Sequence, residues 1–252
     1  MILNDTVIPI DSRSRWDFFK APHGLLSGIT GGGKTYFASY LFQQLYFRGY
    51  VKIIDPKHSD LYQMGQLVLD KKDSAYAPNQ ICKLLRETAD LIDERYDRLS
   101  ESHKLGATYQ DIDLLPATVI FDEYAAFLSS IKNDKKLKTE TDQYIRKIIL
   151  TGRQCGVYII IMMQKPNADV IDTDIRDQLG LRVTLGTMDT TGYRMVFGQV
   201  DGFNYEYRST GEGYIFIPGS GYQVPQKMLA PKVDLQGLVD QMVHFDHTLL
   251  EG

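Results

Sequence analysis

The chain has 252 residues, 43% of them apolar and 24% charged, which is ordinary for one globular α/β domain with insertions and a sizeable core. A formal net charge of −4 excludes coating of nucleic acid by bulk electrostatics, so any such contact has to be local. Cys82 and Cys155 fall in no metal-ligand spacing and fit a reduced cytoplasmic protein; residues 1–20 show no signal-peptide pattern, and the longest apolar run, 157–163, is far short of a membrane span.

Apolar stretches alternate with amphipathic ones, the pattern of a parallel sheet wrapped by helices. Residues 25–28 predict a strand, 34–47 a helix, and 51–55 a second strand ending in a carboxylate. Residues 79–103 predict a long helix with Ile81, Leu84, Leu85, Ile92, Tyr96 and Leu99 on one face. Residues 117–122 (ATVIFD) predict a third strand, and 132–138 (KNDKKLK) a solvated loop. Residues 142–154 predict a helix that buries Ile145, Ile148 and Ile149. The most hydrophobic strand is 157–163, and 182–185 predict a fifth. Beyond Gly211 the pattern is hairpin-like with 219–221 at the turn, and 234–250 predict a closing helix.

Between the first strand and the first helix lies Gly28-Ile-Thr-Gly-Gly-Gly-Lys-Thr35, a complete G-x-x-x-x-G-K-[ST] phosphate-binding loop. The glycines let the backbone curl so that N–H groups converge on a polyphosphate, with Gly28, Thr30, Gly31, Gly32 and Gly33 forming the cradle. Lys34 supplies charge for the outer phosphates, and the Thr35 hydroxyl can ligate Mg²⁺. Hydrolysis also needs a metal-positioning acid and a group that orients water. The run Val119-Ile-Phe-Asp-Glu123 offers both at the end of an apolar strand: Asp122 for the Mg²⁺ shell and Glu123 to polarise water. Gln164, where the apolar strand breaks into Gln-Lys-Pro, reads as a γ-phosphate sensor if an extra strand separates the loop strand from the acidic one. Asp55-Pro56-Lys57 closes the second strand and would set the Asp55 carboxylate near the phosphate edge. Of the five histidines only His244 and His247 have ligand-like spacing; without a third ligand they read as a solvated helix face.

Together these segments resemble the motor domain of the FtsK/SpoIIIE family of DNA-translocating ATPases. Pro22-His23 with Leu25, Leu26 and Gly28 resembles the family's PHLLVAG entry to the loop. Ile54-Asp-Pro-Lys57 followed by Asp60-Leu61 resembles IDPK-x-x-E-L, with Asp in place of Glu. Glu94-Arg-Tyr96 with Leu99-Ser100 resembles ERRY-x-x-M-S, Gly152-Arg-Gln-Cys-Gly156 resembles KARAAG, and Gln164-Lys-Pro166 resembles TQRP. The departures are Gly31-Gly-Gly-Lys-Thr35 where the family carries GSGK[ST], and QKP for QRP. Ile175-Arg-Asp-Gln178 and Arg182-Val-Thr-Leu-Gly186 look closest to FtsK-like coupling proteins of Gram-positive conjugative elements.

The resemblance implies a RecA-like P-loop NTPase of the additional-strand type: an α/β fold with a mostly parallel central sheet flanked by helices, then a C-terminal β-hairpin and helix. It divides the chain into an N-terminal segment (1–21), the ATPase domain (22–230) and a C-terminal helix (231–252). It implies ATP and Mg²⁺ as cofactors, with catalysis by Glu123, Lys34, Gln164 and Arg153. Arg153 would be an arginine finger for a neighbouring subunit's nucleotide, with Arg182 as second choice. Lys165 and Arg194 would face DNA. The implied partners are DNA, further copies in a hexameric ring, a relaxase and membrane channel proteins. The implied place is the cytoplasm, or the inner face of the cell membrane through an anchor or partner. The alternatives are an FtsK-like ATPase of a protein secretion system and a nucleotide-gated docking module without sustained turnover.

Overall fold

The computed structural model describes residues 5–166, 170–200 and 203–246. A short antiparallel hairpin, β1 (Val7–Pro9) and β2 (Arg15–Asp17), leads into β3 (Gly24–Gly28), the phosphate loop and α1 (Lys34–Tyr46). Then follow β4 (Tyr50–Ile54), α2 (Asp60–Val68), β5 (Ser74–Ala75) and α3 (Pro78–Glu101). The middle of the chain holds β6 (Ala117–Phe121), α4 (Tyr124–Ser130), α5 (Lys135–Cys155) and β7 (Val157–Met163). The last third comprises α6 (Thr173–Asp177), β8 (Leu181–Leu185), α7 (Thr190–Phe197), β9 (Glu212–Phe216), β10 (Gln226–Leu229) and α8 (Leu235–Val243).

Eight strands form one sheet in the order β10-β9-β8-β3-β7-β6-β4-β5. The six from β8 to β5 are parallel, and β9 and β10 extend the sheet antiparallel. β7 stands between the loop strand β3 and the acidic strand β6, so the expected additional-strand α/β architecture is what the sheet shows. Strands β3, β6, β7 and β8 are buried at every residue, which is why β6 and β7 read as predominantly apolar runs. Alternate side chains serve two cores. Leu26, Ile160 and Met162 join α1, α2 and α8 on one face, while Leu25, Ile159 and Ile161 join α3 and α5 on the other.

The rest of the chain ties these layers together. Trp16, wholly buried, donates from Nε1 to the Ala21 carbonyl at 2.7 Å, and Ile8 and Phe18 join the core beneath α1. The hairpin's tip covers the outer strand: Arg13 Nη2 donates to the Lys227 carbonyl and the Leu229 N–H to Asp11. The buried Arg95 guanidinium of α3 donates to the carbonyls of Cys155, Gly156 and Leu115, satisfying the end of α5 and the approach to β6. At Gly152, a Cβ would lie 2.1 Å from the Val157 carbonyl oxygen, so only glycine lets α5 turn this tightly into β7.

Two expectations change. Helix α5 starts at Lys135, so most of the stretch expected as a solvated loop is helix; Asp134 caps it, accepting the Leu137 N–H at 2.9 Å. A lysine-rich turn is as well solvated on a helix as in a loop, and its charge concealed the start. The final helix ends at Val243, before the predicted boundary, and residues 247–252, His247 among them, lie outside the described residues. Among the described residues no helix is long and apolar enough to cross a membrane.

Burial pushes the His23 imidazole down to about 3, against an ordinary 6.5, and its Nδ1, accepting the Ile159 N–H at 3.2 Å, also favours the neutral ring. Between those values the unfolded chain binds a proton that the folded one does not, so stability falls as pH drops below 6.5. His23→Asn, which suits the φ of 60° at this position, should remove about 2 kcal/mol of the stability lost between pH 7 and pH 5. Urea unfolding at both pH values checks this; an unchanged pH slope in the variant would refute it.

Candidate nucleotide site

The phosphate loop follows β3 at the carboxyl ends of the parallel strands, where α/β sheets open their binding crevices. Gly31 and Gly33 take φ of 76° and 97°, which only glycine adopts without strain. A Cβ at Gly32 would sit 2.7 Å from the Leu185 carbonyl oxygen, so the loop lies pressed against the end of β8. Two bonds from the turn before β9 anchor it: Thr210 Oγ1 donates to the Gly31 carbonyl at 3.0 Å, and the Gly211 N–H to the Gly32 carbonyl at 2.9 Å. Among the described residues no backbone acceptor meets the N–H groups of Gly31, Gly33, Lys34 or Thr35. These groups begin the 13-residue helix α1, whose dipole favours an anion there.

Facing the loop stands the acidic pair. Lys34 is buried, with Nζ 3.0 Å from Glu123 Oε1 and 3.6 Å from Asp122 Oδ1. The same Glu123 oxygen accepts Gln164 Nε2 at 2.8 Å and lies 3.3 Å from Lys57 Nζ. Thr30 Oγ1 donates to Gln164 Oε1 at 3.3 Å, so the glutamine spans from loop to acid. Glu123 adopts φ 48° and ψ 46°, a left-handed conformation uncommon for its type, while its N–H donates to Asp122 Oδ1 at 2.8 Å. Burial would raise the Glu123 carboxyl, but Lys34, Gln164 and Lys57 outweigh it and hold the group below the usual range. Burial pushes Asp122 up; Lys34 opposes this, and Asp55 and Glu123 add to it.

Asp55 is wholly buried, and the turn after β4 engages both its oxygens. Oδ1 accepts the Lys57 N–H at 3.0 Å, and Oδ2 accepts Ser59 N–H at 2.8 Å and Ser59 Oγ at 2.6 Å. The His58 N–H donates to the Asp55 carbonyl at 3.0 Å, closing a turn in which Pro56 fixes φ. This turn presents Lys57, a contributor that the sequence reading passed over although the Asp-Pro-Lys motif contained it. The loop-anchoring Thr210 and Gly211 carried no signal beyond a turn.

Of the remaining candidates, Arg153 and Arg182 lie away from the loop. Arg153 is exposed in the last turn of α5, just before β7 begins, whereas the loop follows the far end of the strands, ~20 Å away along seven residues. Arg182 is buried and bonded to the Leu179 carbonyl and Asp177 of its own chain. Lys165 is exposed directly after Gln164, and Arg194 is exposed on α7. Thr35, half-buried on the first turn of α1, and Asp122 are the groups that could share a divalent cation. Among the described residues no cluster of three or more His, Cys, Asp or Glu could hold a metal by itself. One hydroxyl and one carboxylate suit Mg²⁺, whose other ligands come from phosphates and water.

The loop strand, the added strand and the acidic pair define the class: a P-loop nucleoside-triphosphatase fold of the additional-strand type. No protein-family model matches the chain. The FtsK domain-containing protein YdcQ of Bacillus subtilis (strain 168) is 37% identical over 223 residues, 87% of this chain and 45% of that protein. The DNA translocase SftA of the same strain is 24% identical over 200 residues, 71% of this chain and 20% of that protein. The chain thus spans less than half the length of these relatives. Among solved structures, the pCW3 conjugation coupling protein TcpA, determined with ATPγS, superposes with a TM-score of 0.79 at 17% identity, covering 95% of this chain and 70% of that one. The type VII secretion ATPase EccC of Thermomonospora curvata gives 0.72 at 19% identity, covering 96% and 31%. The resemblance read from the sequence holds: the chain is an FtsK-like P-loop ATPase domain.

The Asp55 geometry separates a scaffold from a ligand. Asp55→Ala should lower stability by about 2 kcal/mol in the absence of nucleotide, because partly buried N–H groups lose their acceptor. Urea unfolding of the nucleotide-free protein checks this, and unchanged stability would refute the scaffold role.

Proposed function

We propose that the chain is the motor domain of an oligomeric, ATP-hydrolysing machine that moves DNA in conjugative transfer. The observation that carries the enzymatic half is the single Glu123 oxygen shared by Lys34 of the loop, Gln164 and Lys57. A phosphate-loop lysine, an acid able to orient water and a glutamine reaching from loop to acid are groups that triphosphate hydrolysis uses, gathered at one point. In this reading Gly28 and residues 30–33 wrap the phosphates of ATP and Lys34 neutralises them. Thr35 and Asp122 would hold Mg²⁺, which would screen charge on the β- and γ-phosphates. Glu123 would orient the attacking water, and Gln164 would report the γ-phosphate.

The DNA half is supported by SftA, named a DNA translocase, and by TcpA, a conjugation coupling protein. Lys165 and Arg194, both exposed, are the proposed DNA contacts. Arg153, outward-facing and remote from its own chain's loop, suits a finger serving a neighbour in a hexamer, and Arg182 does not, being buried. We take 22–230 as the ATPase domain, with 1–21 and 231–252 as flanking segments. A cytoplasmic position, at the membrane through an anchor or partner, follows from the coupling role, as do a relaxase and channel proteins as partners. The likeness to EccC favours a second reading, a motor acting on secreted protein.

Lys34→Ala should abolish nucleotide binding. Glu123→Gln should retain binding while turnover falls about 100-fold or more, and normal turnover in this variant would overturn the role given to Glu123. ATPase rate against protein concentration, with and without single- and double-stranded DNA, tests the rest. Turnover should rise with assembly and with DNA, and Arg153→Ala should remove the assembly-dependent part without affecting binding. Stimulation by a secreted protein instead would favour the second reading. Negligible turnover with DNA would favour a nucleotide-gated docking module.

A further inference from the structure

We propose that Lys57 is a positioning residue that holds the Glu123 carboxylate in place when Lys34 turns to the nucleotide phosphates. The inference rests on the water-orienting reading of Glu123 given above.

Lys34 cannot serve both partners fully. In the present structure its ammonium lies 3.0 Å from Glu123 Oε1, yet the loop it belongs to directs it toward phosphate. Once it shifts, Glu123 keeps two contacts: Gln164 Nε2, itself tethered to Thr30, and Lys57 Nζ. Among the described residues, the other charges that bear on Asp122 are acids, Glu123 beside it and Asp55 behind it. Among the described residues, Lys57 is then the remaining cation in ion-pair contact with a left-handed residue that must keep its orientation.

The geometry suits a fixed post. Asp55 pins the Lys57 and Ser59 N–H groups, Pro56 fixes one torsion, and the His58 N–H closes the turn onto the Asp55 carbonyl. From this turn the lysine reaches from solvent, its side chain 46% exposed, to a carboxylate that is 9% exposed. A partly exposed ion pair contributes little to folding stability, so the contact's effect should appear in catalysis. Positioning through Glu123 also makes a definite statement about coupling: without the Glu123 carboxylate, Lys57 has nothing to hold.

The test compares Lys57→Met, Lys57→Arg, Glu123→Gln and the double variant Lys57→Met/Glu123→Gln in the full chain. It uses steady-state ATP hydrolysis, titration with a fluorescent slowly hydrolysed ATP analogue, and urea unfolding. Lys57→Met should lower kcat about tenfold while KM and analogue Kd stay within about twofold and the unfolding midpoint is unchanged. Lys57→Arg should recover most of the loss, and the double variant should be no slower than Glu123→Gln alone. Wild-type kcat in Lys57→Met, with Glu123→Gln inactive, would overturn the inference and leave the role of Glu123 standing. Analogue binding weakened in step with kcat would make Lys57 a nucleotide ligand instead. A double variant about tenfold slower than Glu123→Gln would show an independent action, overturning it as well. Full turnover in Glu123→Gln would remove the reading beneath it.

Discussion

A buried ammonium between two buried carboxylates sets the terms for the rest of this structure. Taking Lys34, Asp122 and Glu123 out of water is unfavourable unless each finds a partner at hydrogen-bonding distance, and the interior strengthens both attraction and repulsion among them. Their pairing requires β3 and β6 to be held in a fixed register, although the two strands do not touch. The register through β7 achieves this: Leu25 and Phe121 both align with Ile161. The loop then crosses the top of β7, and Gln164 at that strand's end fills the remaining gap. The added strand is thus a spacer that also carries a polar contact.

The corner carries more negative than positive charge, and the fold supports it from several sides. Asp55 is given over to its turn, so its charge is held by N–H groups while still bearing on Asp122. Glu123 takes a strained left-handed conformation, kept by its cap on Asp122 and its three donors. Strain and like charge are gathered at one point, and an additional cation or an anionic phosphate bound there would relieve different parts of it. The free N–H groups of the loop and the start of α1 complement that picture.

The sequence displayed the sheet because fully buried parallel strands are predominantly apolar, as in ATVIF and VYIIIMM. The long helices α3 and α5 showed through periodicity. Short elements such as α4 and α6, of 7 and 5 residues, span too few turns to show a period. The hairpin β1–β2 is equally short, and what marks it as core is the burial of Trp16 and Ile8, a tertiary fact. Within the site, Gly28 to Thr35 and Asp122-Glu123 were legible since their chemistry fixes residue type and spacing. Lys57 was not, because a lysine after Asp-Pro looks like any exposed turn until the turn is seen to aim it at Glu123.

By itself, then, the amino-acid sequence determined the class of fold, the phosphate loop, the acidic pair and the glutamine that follows the apolar strand. These are local patterns, each enforced by backbone sterics, burial or phosphate chemistry within a few residues. Tertiary structure alone decided which oxygen Lys34, Lys57 and Gln164 share, that Asp55 shapes a turn, that Arg182 is enclosed and that Arg153 faces outward at the opposite end of the strands. Those outcomes depend on strand order and register, which join residues far apart in the chain, as where Ser27 Oγ meets the Gln164 carbonyl 137 positions away. No local pattern encodes such a distance, because it is set by the packing of the whole sheet.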